Sequence, residues 1–370
     1  MGNYYVKHLA CLLVLLFSAL LSPFLYAETP YNKIVFFGDS LSDNGNLYWV
    51  DFGYLPKSPP YYEGRLSNGP VWSEQLANDL YEKRGVTTLN YAVAGETTLF
   101  HNPIKGYLPY SLNLSLDTYL LRTILRDRST TLFVIWIGAN DYLPGSKNPD
   151  QLTTDVVDNI KSSIERLIYH GGVNFLVINL PDLALTPYGR ESKISQTLSR
   201  LITQHNIKLQ VAISDIQTNY KSINMHLYDL NTLFVDLVNN PDRYNKKYQI
   251  HLTNTKTACW PGGFTLGRVF NQTNIAQQFQ EKIKSRSISL TNQNPLRNQF
   301  DVDGFAQYIA TSPALSEAYR VSDAASSGVN PCNNPNEYIF WDHIHPTAVI
   351  HTLLFQEITN YVTQHYLSVG

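Results

Sequence analysis

Apolar residues cluster in three short runs, Lys33-Ile-Val-Phe-Phe37, Leu132-Phe-Val-Ile-Trp-Ile137 and Phe175-Leu-Val-Ile-Asn-Leu180. The first two stop at Gly38 and Gly138 and the third at Pro181. Continuous apolar runs of this length, without alternation, predict strands buried on both faces, as in a parallel sheet covered by helices. Between them the period lengthens. Val156, Ile160, Ile164, Leu167 and Ile168 recur at helical spacing and predict a helix over 153–170, stopped at Gly171-Gly172. Helices are likewise expected at about 70–83, 115–127, 191–219 and 346–366. The alternation predicts an α/β fold with an open parallel sheet.

Two stretches break this rhythm. At the N-terminus, Lys7 and His8 precede an almost wholly apolar run from Leu9 to Leu25, and Tyr26-Ala27 precede Glu28. That is the layout of a secretory signal peptide, with cleavage expected after Ala27. The run is short for a membrane span and is interrupted by Pro23. Residues 28–370 are then expected to form a single secreted domain. Cys11 leaves with the signal, and an exported chain with two remaining cysteines, Cys259 and Cys332, is expected to pair them. The second stretch, 250–335, is rich in Asn, Gln and Ser, with scattered apolar residues such as Phe264, Phe300 and Phe305. It is read as an insertion closed at its base by the Cys259–Cys332 bridge, acting either as a lid opened by movement or proteolysis or as a passive excursion.

Charge removes one class of partner. With Lys and Arg totalling 28 against 30 Asp and Glu, and no basic run, the chain lacks the positive footprint that nucleic-acid binding requires. The 25 Tyr and 16 Phe belong mostly to core packing.

Three strand ends carry polar residues that a fold alone does not require. In Phe36-Phe-Gly-Asp-Ser-Leu-Ser-Asp-Asn-Gly-Asn46, Ser40 falls just beyond a buried strand, at the sheet edge where open α/β folds bind ligands. Taken alone, it is as well explained as a helix cap. In Trp341-Asp-His-Ile-His-Pro-Thr347, Asp342 and His345 are three apart, so a helix-like turn sets a carboxylate beside an imidazole that can take a proton from a serine. His343 and His345 also form a His-x-His pair, but no convincing further metal ligands accompany it, so no metal is expected. Asn90-Tyr-Ala-Val-Ala-Gly-Glu-Thr97 and Gly138-Ala-Asn-Asp141 offer a glycine amide and an Asn side chain. With the Ser40 amide, Gly95 and Asn140 can surround a developing oxyanion, each donor being worth about 10²–10³ in rate.

Gly-Asp-Ser-Leu, the Gly95 segment, Gly-x-Asn-Asp and Asp-x-x-His stand in order along the chain and resemble the four sequence blocks of the SGNH/GDSL hydrolases. Gly64-Arg-Leu-Ser-Asn-Gly-Pro-Val-Trp72 resembles the segment that often follows the first block. The resemblance covers about 33–366 apart from the insertion. It implies a flavodoxin-like three-layer α/β/α sandwich, Ser40 as nucleophile, His345 as base and then acid, and Asp342 as its orienting partner. It also implies an oxyanion hole made by Ser40, Gly95 and Asn140, and no cofactor. Ala94 stands where a second glycine is common and Glu96 follows Gly95, so an oxyanion rim that is either narrowed or charged, with catalysis retained, is expected.

The first and last blocks are most similar to the bacterial secreted branch of phospholipases A, lysophospholipases and glycerophospholipid:cholesterol acyltransferases. That branch implies membrane lipids or lysophospholipids as substrate and cholesterol as a second acyl acceptor; an activating protease acting on the disulfide loop is expected from the loop's polar, weakly periodic sequence. The competing readings are a short-chain carboxylesterase or aryl esterase, a carbohydrate deacetylase, and a binding module without catalysis. Asn113-Leu-Ser and Asn271-Gln-Thr are glycosylation sequons only in a eukaryotic host.

Overall fold

The three apolar runs become the three central strands of a five-stranded parallel sheet. In the computed structural model, which describes residues 31–51, 53–99, 110–261, 276–277, 280–281, 302–312, 315–316, 318–320 and 328–367, they are β1 (Lys33–Gly38), β3 (Thr131–Trp136) and β4 (Asn174–Ile178). Every residue of β3 and β4 is buried, as their unbroken apolar character requires. The order is β2-β1-β3-β4-β5, with β2 at Thr87–Asn90 and β5 at Asn224–Tyr228. Val35 of β1 pairs with Leu89 on one side and Phe133 on the other, so the chain winds outward in both directions from between β1 and β3. That reversal opens a crevice at the carboxyl ends of these strands.

Helices cover both faces and give the three-layer α/β/α sandwich expected. On one face lie α3 (Leu112–Arg122), α5 (Pro149–Tyr169) and α7 (Ser195–Asn219); α2 (Trp72–Arg84) and the C-terminal α11 (Ala348–Val362) pack together on the other. Five shorter helices complete this part of the chain: α1 (Asn46–Val50), α4 (Ala139–Tyr142), α6 (Pro187–Glu191) and, beyond β5, α8 (Leu230–Asn239) followed by α9 (Pro241–Tyr248). The helix expected at 115–127 starts and ends earlier, because Thr123 turns out of helical geometry and its carbonyl takes the Arg128 guanidinium. The two edge strands were not expected. β2 is half exposed and reads Thr-Thr-Leu-Asn, and β5 is interrupted by His226, so neither makes a continuous apolar run.

The irregular region is better built than its sequence implies. Cys259 and Cys332 are bonded, closing a loop of 73 residues; chain-entropy arithmetic assigns such a loop about 4 kcal/mol. A two-stranded parallel sheet joins β6 (Asn254–Ala258) to β7 (Tyr338–Phe340) at its foot. Within it, α10 (Val302–Thr311) buries Phe305, Ala306 and Ile309 in a second apolar cluster with Leu55, Tyr61, Trp260, Leu315 and Trp341. Phe305 and Ile309 are one helical turn apart, a period too short to stand out among polar neighbours. The proposed signal peptide, most of the proposed lid and Asn271 lie outside the described residues. Asn113 is engaged in the fold: its side chain donates to Asn159 and accepts from Arg166.

Candidate active site

Ser40 sits directly past β1, at the crevice. The turn that presents it is closed by the Ser42 and Asp43 amides donating to the Asp39 carbonyl at 3.0 and 2.9 Å, and by the Leu41 amide donating to the Asp39 carboxylate at 3.1 Å. Gly38 admits the turn because a Cβ there would lie 2.6 Å from the Trp136 carbonyl oxygen. Asp43 then ties this segment to the next block. Its carboxylate accepts from the amides of Gly45, Asn46 and Leu47 and, across the fold, from Ala94.

His345 faces Ser40 with Nε2 2.9 Å from Oγ, and its Nδ1 lies 2.8 and 2.9 Å from the two carboxylate oxygens of Asp342. The carboxylate fixes the imidazole proton on Nδ1, so Nε2 is the acceptor for the Ser40 hydroxyl. The helix-like turn expected here is instead made by Asp342 itself, whose Oδ1 accepts the amides of Ile344 and His345. α11 begins only at Ala348, past Pro346. Burial pushes the Asp342 carboxyl up, but the His345 charge and hydrogen bond and the Tyr61 hydroxyl outweigh it and hold the carboxyl below its usual range. His343 points elsewhere, toward the Pro261 carbonyl and Glu191, so the His-x-His pair does not converge on one point.

Several residues that hold this arrangement were not singled out from the sequence. Tyr61 donates to Asp342 Oδ2 at 2.5 Å. Ser67 donates to the Pro346 carbonyl and Asn68 accepts from the Ala348 amide. The segment after the first block is therefore a clamp on the histidine loop, a role its sequence did not disclose.

Ser40 and Asn140, just past β1 and β3, line the same cavity, and Asn140 is tied to the segment after β2 that carries Gly95. Gly95 adopts φ +81°, and a Cβ on it would meet Leu315 at 2.8 Å and the Tyr308 hydroxyl at 3.0 Å. Tyr308, from α10, donates to the Gly95 carbonyl at 2.9 Å. The Asn140 side-chain amide donates one hydrogen to the Glu96 carbonyl at 2.8 Å, which fixes its plane. Asp141 accepts the amides of Thr98 and Leu99 and so anchors the segment beyond Gly95. The charged rim expected from Glu96 is not found. Its side chain is wholly buried away from the rim, and burial, with the Asp39 charge adding to it, pushes its carboxyl well above the usual carboxylate range.

Asp39 shares this environment: burial pushes it up to about 7, with the charges of Asp141 and Asp43 adding to the effect. A carboxyl whose folded pKa lies above its unfolded value binds its proton more tightly when folded. Its contribution is therefore favourable at acid pH and is lost as pH rises from about 4 to about 7. Asp39→Asn keeps the acceptor for Leu41 and removes the titration. Relative to wild type it should gain stability through that window and hold the gain above it, by roughly 1–3 kcal/mol at pH 8. Urea unfolding at pH 4.5 and 8 checks this; a pH-independent difference would mean that Asp39 titrates normally.

A parallel α/β/α sandwich with a buried, hydrogen-bonded Ser–His–Asp chain at its switch point defines a serine-dependent acyl-ester hydrolase. Ser42 stands where the second glycine of a Gly-x-Ser-x-Gly elbow would be, which separates it from the common α/β-hydrolases. The chain belongs to the GDSL-like Lipase/Acylhydrolase family, whose pattern matches residues 34–358. It is 32% identical over 339 residues to the phosphatidylcholine-sterol acyltransferase of Aeromonas hydrophila, with 91% of each chain covered. It is 30% identical over 198 residues to the secreted effector protein SseJ of Salmonella typhimurium, covering 53% of this chain and 46% of that one. The thermolabile hemolysin of Vibrio parahaemolyticus is 26% identical over 225 residues, covering 58% and 49%. The chain thus spans about half the length of these last two relatives.

Proposed function

We propose that this protein is an exported phospholipase A/lysophospholipase that also passes the acyl group to a sterol, with Ser40, His345 and Asp342 as its triad. The observation that carries the reading is the Ser40 Oγ–His345 Nε2 hydrogen bond of 2.9 Å, continued by His345 Nδ1 to Asp342. His345 takes the Ser40 proton as Oγ attacks the ester carbonyl. The oxyanion that forms is met by the Ser40 and Gly95 amides and the Asn140 side chain. As the tetrahedral intermediate collapses, His345 returns the proton to the departing alkoxide, here a lysolipid or glycerol hydroxyl, and an acyl-serine remains. A water or a sterol hydroxyl then gives its proton to His345, attacks the acyl carbonyl and releases fatty acid or sterol ester, restoring Ser40.

The lipid part of the reading is supported by the near full-length likeness to a phosphatidylcholine-sterol acyltransferase. Export is supported by the N-terminal pattern of residues 1–27 and by a relative described as secreted. The test is product analysis after incubating the mature chain with phosphatidylcholine or lysophosphatidylcholine vesicles, with and without cholesterol, and with Ser40→Ala as control. Ser40-dependent fatty acid is expected from both lipids, and sterol ester when cholesterol is present. Turnover of soluble short-chain esters alone, with no lipid product before or after proteolytic nicking between Cys259 and Cys332, would replace the reading by a soluble-ester esterase.

A further inference from the structure

We propose that His205, paired with Tyr142, is a positioning residue for the oxyanion site, holding the turn that carries Asn140 from the α7 side. The proposal deepens the acyl-transfer reading and rests on Asn140 serving as an oxyanion donor. His205 breaks a pattern. Leu198, Leu201, Ile202, Leu209, Ala212 and Ile216 form the buried stripe of α7, and position 205 falls within it, where the spacing calls for an apolar side chain. The imidazole there is wholly buried, and its Nε2 has no hydrogen-bond partner among the described residues. Burying a polar group that is only half satisfied costs stability that a leucine would not. Its Nδ1 lies 2.8 Å from the Tyr142 hydroxyl, a hydrogen bond inside the fold.

What that bond reaches explains the cost. α4 is four residues long, too short to hold a helical turn unaided, so its place is set by what its side chains meet. Asn140 donates to the Glu96 carbonyl and Asp141 accepts the Thr98 and Leu99 amides, and both ties run to the segment after β2. Tyr142 runs the other way, into α7, and supplies the opposing tie. Without it the turn can drift with the Gly95 segment, and the Asn140 amide drifts with the turn.

α7 is a firm reference at this point. Asn206, the next residue, accepts the Leu180 amide at 3.0 Å and donates to the Leu180 carbonyl at 2.8 Å, which locks the helix to the chain just past β4. His205 also packs against Gly138, at the head of α4: a Cβ there would stand 3.3 Å from His205 Cε1 and 3.4 Å from the Leu180 side chain. The rings of His205 and Tyr142 meet edge to face, with centroids 5.5 Å apart. Burial pushes the imidazole down to about 3, and burial with the Asp141 charge pushes the Tyr142 hydroxyl up. Both groups are therefore neutral, and their bond intact, wherever His345 can act as a base.

The experiment is a cycle of variants of the mature chain, read by turnover of p-nitrophenyl butyrate and by thermal melting. Replacing both partners at once, His205→Leu with Tyr142→Phe, leaves no polar atom of the pair unpaired, so this protein should melt at or above the wild-type temperature. It should nonetheless lose about 10-fold in kcat, with KM within about 2-fold of wild type, because a displaced oxyanion donor acts on the transition state alone. Asn140→Ala should itself lose about 10²-fold in kcat. Added to Asn140→Ala, the pair replacement should cost less than about 2-fold, since no amide is left to position. Wild-type kcat in the pair variant, a loss that only tracks a fall in melting temperature, or the same loss with and without Asn140 would overturn the positioning role and leave the esterase standing. Wild-type kcat in Asn140→Ala would instead remove Asn140 from the oxyanion site, and the proposal with it. Absence of Ser40-dependent turnover in wild type would sink the ester-hydrolase reading itself.

Discussion

Ser40→Ala and His345→Ala should each lower kcat by about 10⁴-fold or more, and the double variant should be no slower than the worse single. The reason is that the two side chains perform one act. Oγ becomes nucleophilic only as Nε2 takes its proton across 2.9 Å, so removing either partner removes the whole step. What remains is whatever the oxyanion donors and binding supply to attack by water. The two variants should differ in stability. Ser40→Ala deletes one hydroxyl, whereas His345→Ala leaves the wholly buried Asp342 carboxylate without the charge and hydrogen bond that hold its pKa down. Steady-state turnover of a nitrophenyl ester with urea melts on the same preparations reads both effects. Additive losses in kcat would show that serine and histidine act in separate steps.

Asp342→Asn should cost about 10⁴-fold in kcat while leaving the fold close to wild type. An asparagine keeps an oxygen for the amides of Ile344 and His345, so the turn persists. Its amide nitrogen, however, presents a donor to His345 Nδ1, which moves the imidazole proton to Nε2. A protonated Nε2 faces Ser40 as a donor and cannot accept the hydroxyl proton. The predicted signature is therefore a loss in kcat far larger than any change in KM, with an unchanged melting temperature. A loss of only a few-fold would mean that Asp342 merely fills space behind the histidine and that another group sets the tautomer.

The parts of this molecule that were legible in its sequence are those whose constraint is local. β1, β3 and β4 are buried on both faces and must be apolar throughout, so they announce themselves; β2 and β5, at the sheet edges, meet half-polar surroundings and do not. Ser40 and its place against His345 were readable because it sits beside a strand end, with Gly38 as a marker. Tyr61 and Tyr308 carry no such marker. Tyr61 reaches Asp342 across 281 positions and Tyr308 reaches Gly95 across 213, and in the sequence each is one tyrosine among 25. Glu96 misled for a related reason: its neighbours in sequence place it at the rim, but its side chain is wholly buried in the interior, where burial disfavours the charged form.

The origin of Tyr308 has a consequence for how such enzymes diversify. The segment between the two cysteines supplies both the hydroxyl that holds the Gly95 carbonyl and the Leu315 side chain that crowds the glycine itself. A stretch that looks like an accessory, and that varies freely in most folds, is here part of the scaffold around Gly95. Transplanting it between relatives would carry reaction rate along with whatever substrate preference it confers. Selection on one trait would drag the other, and the enzyme's most irregular region would be its least interchangeable part.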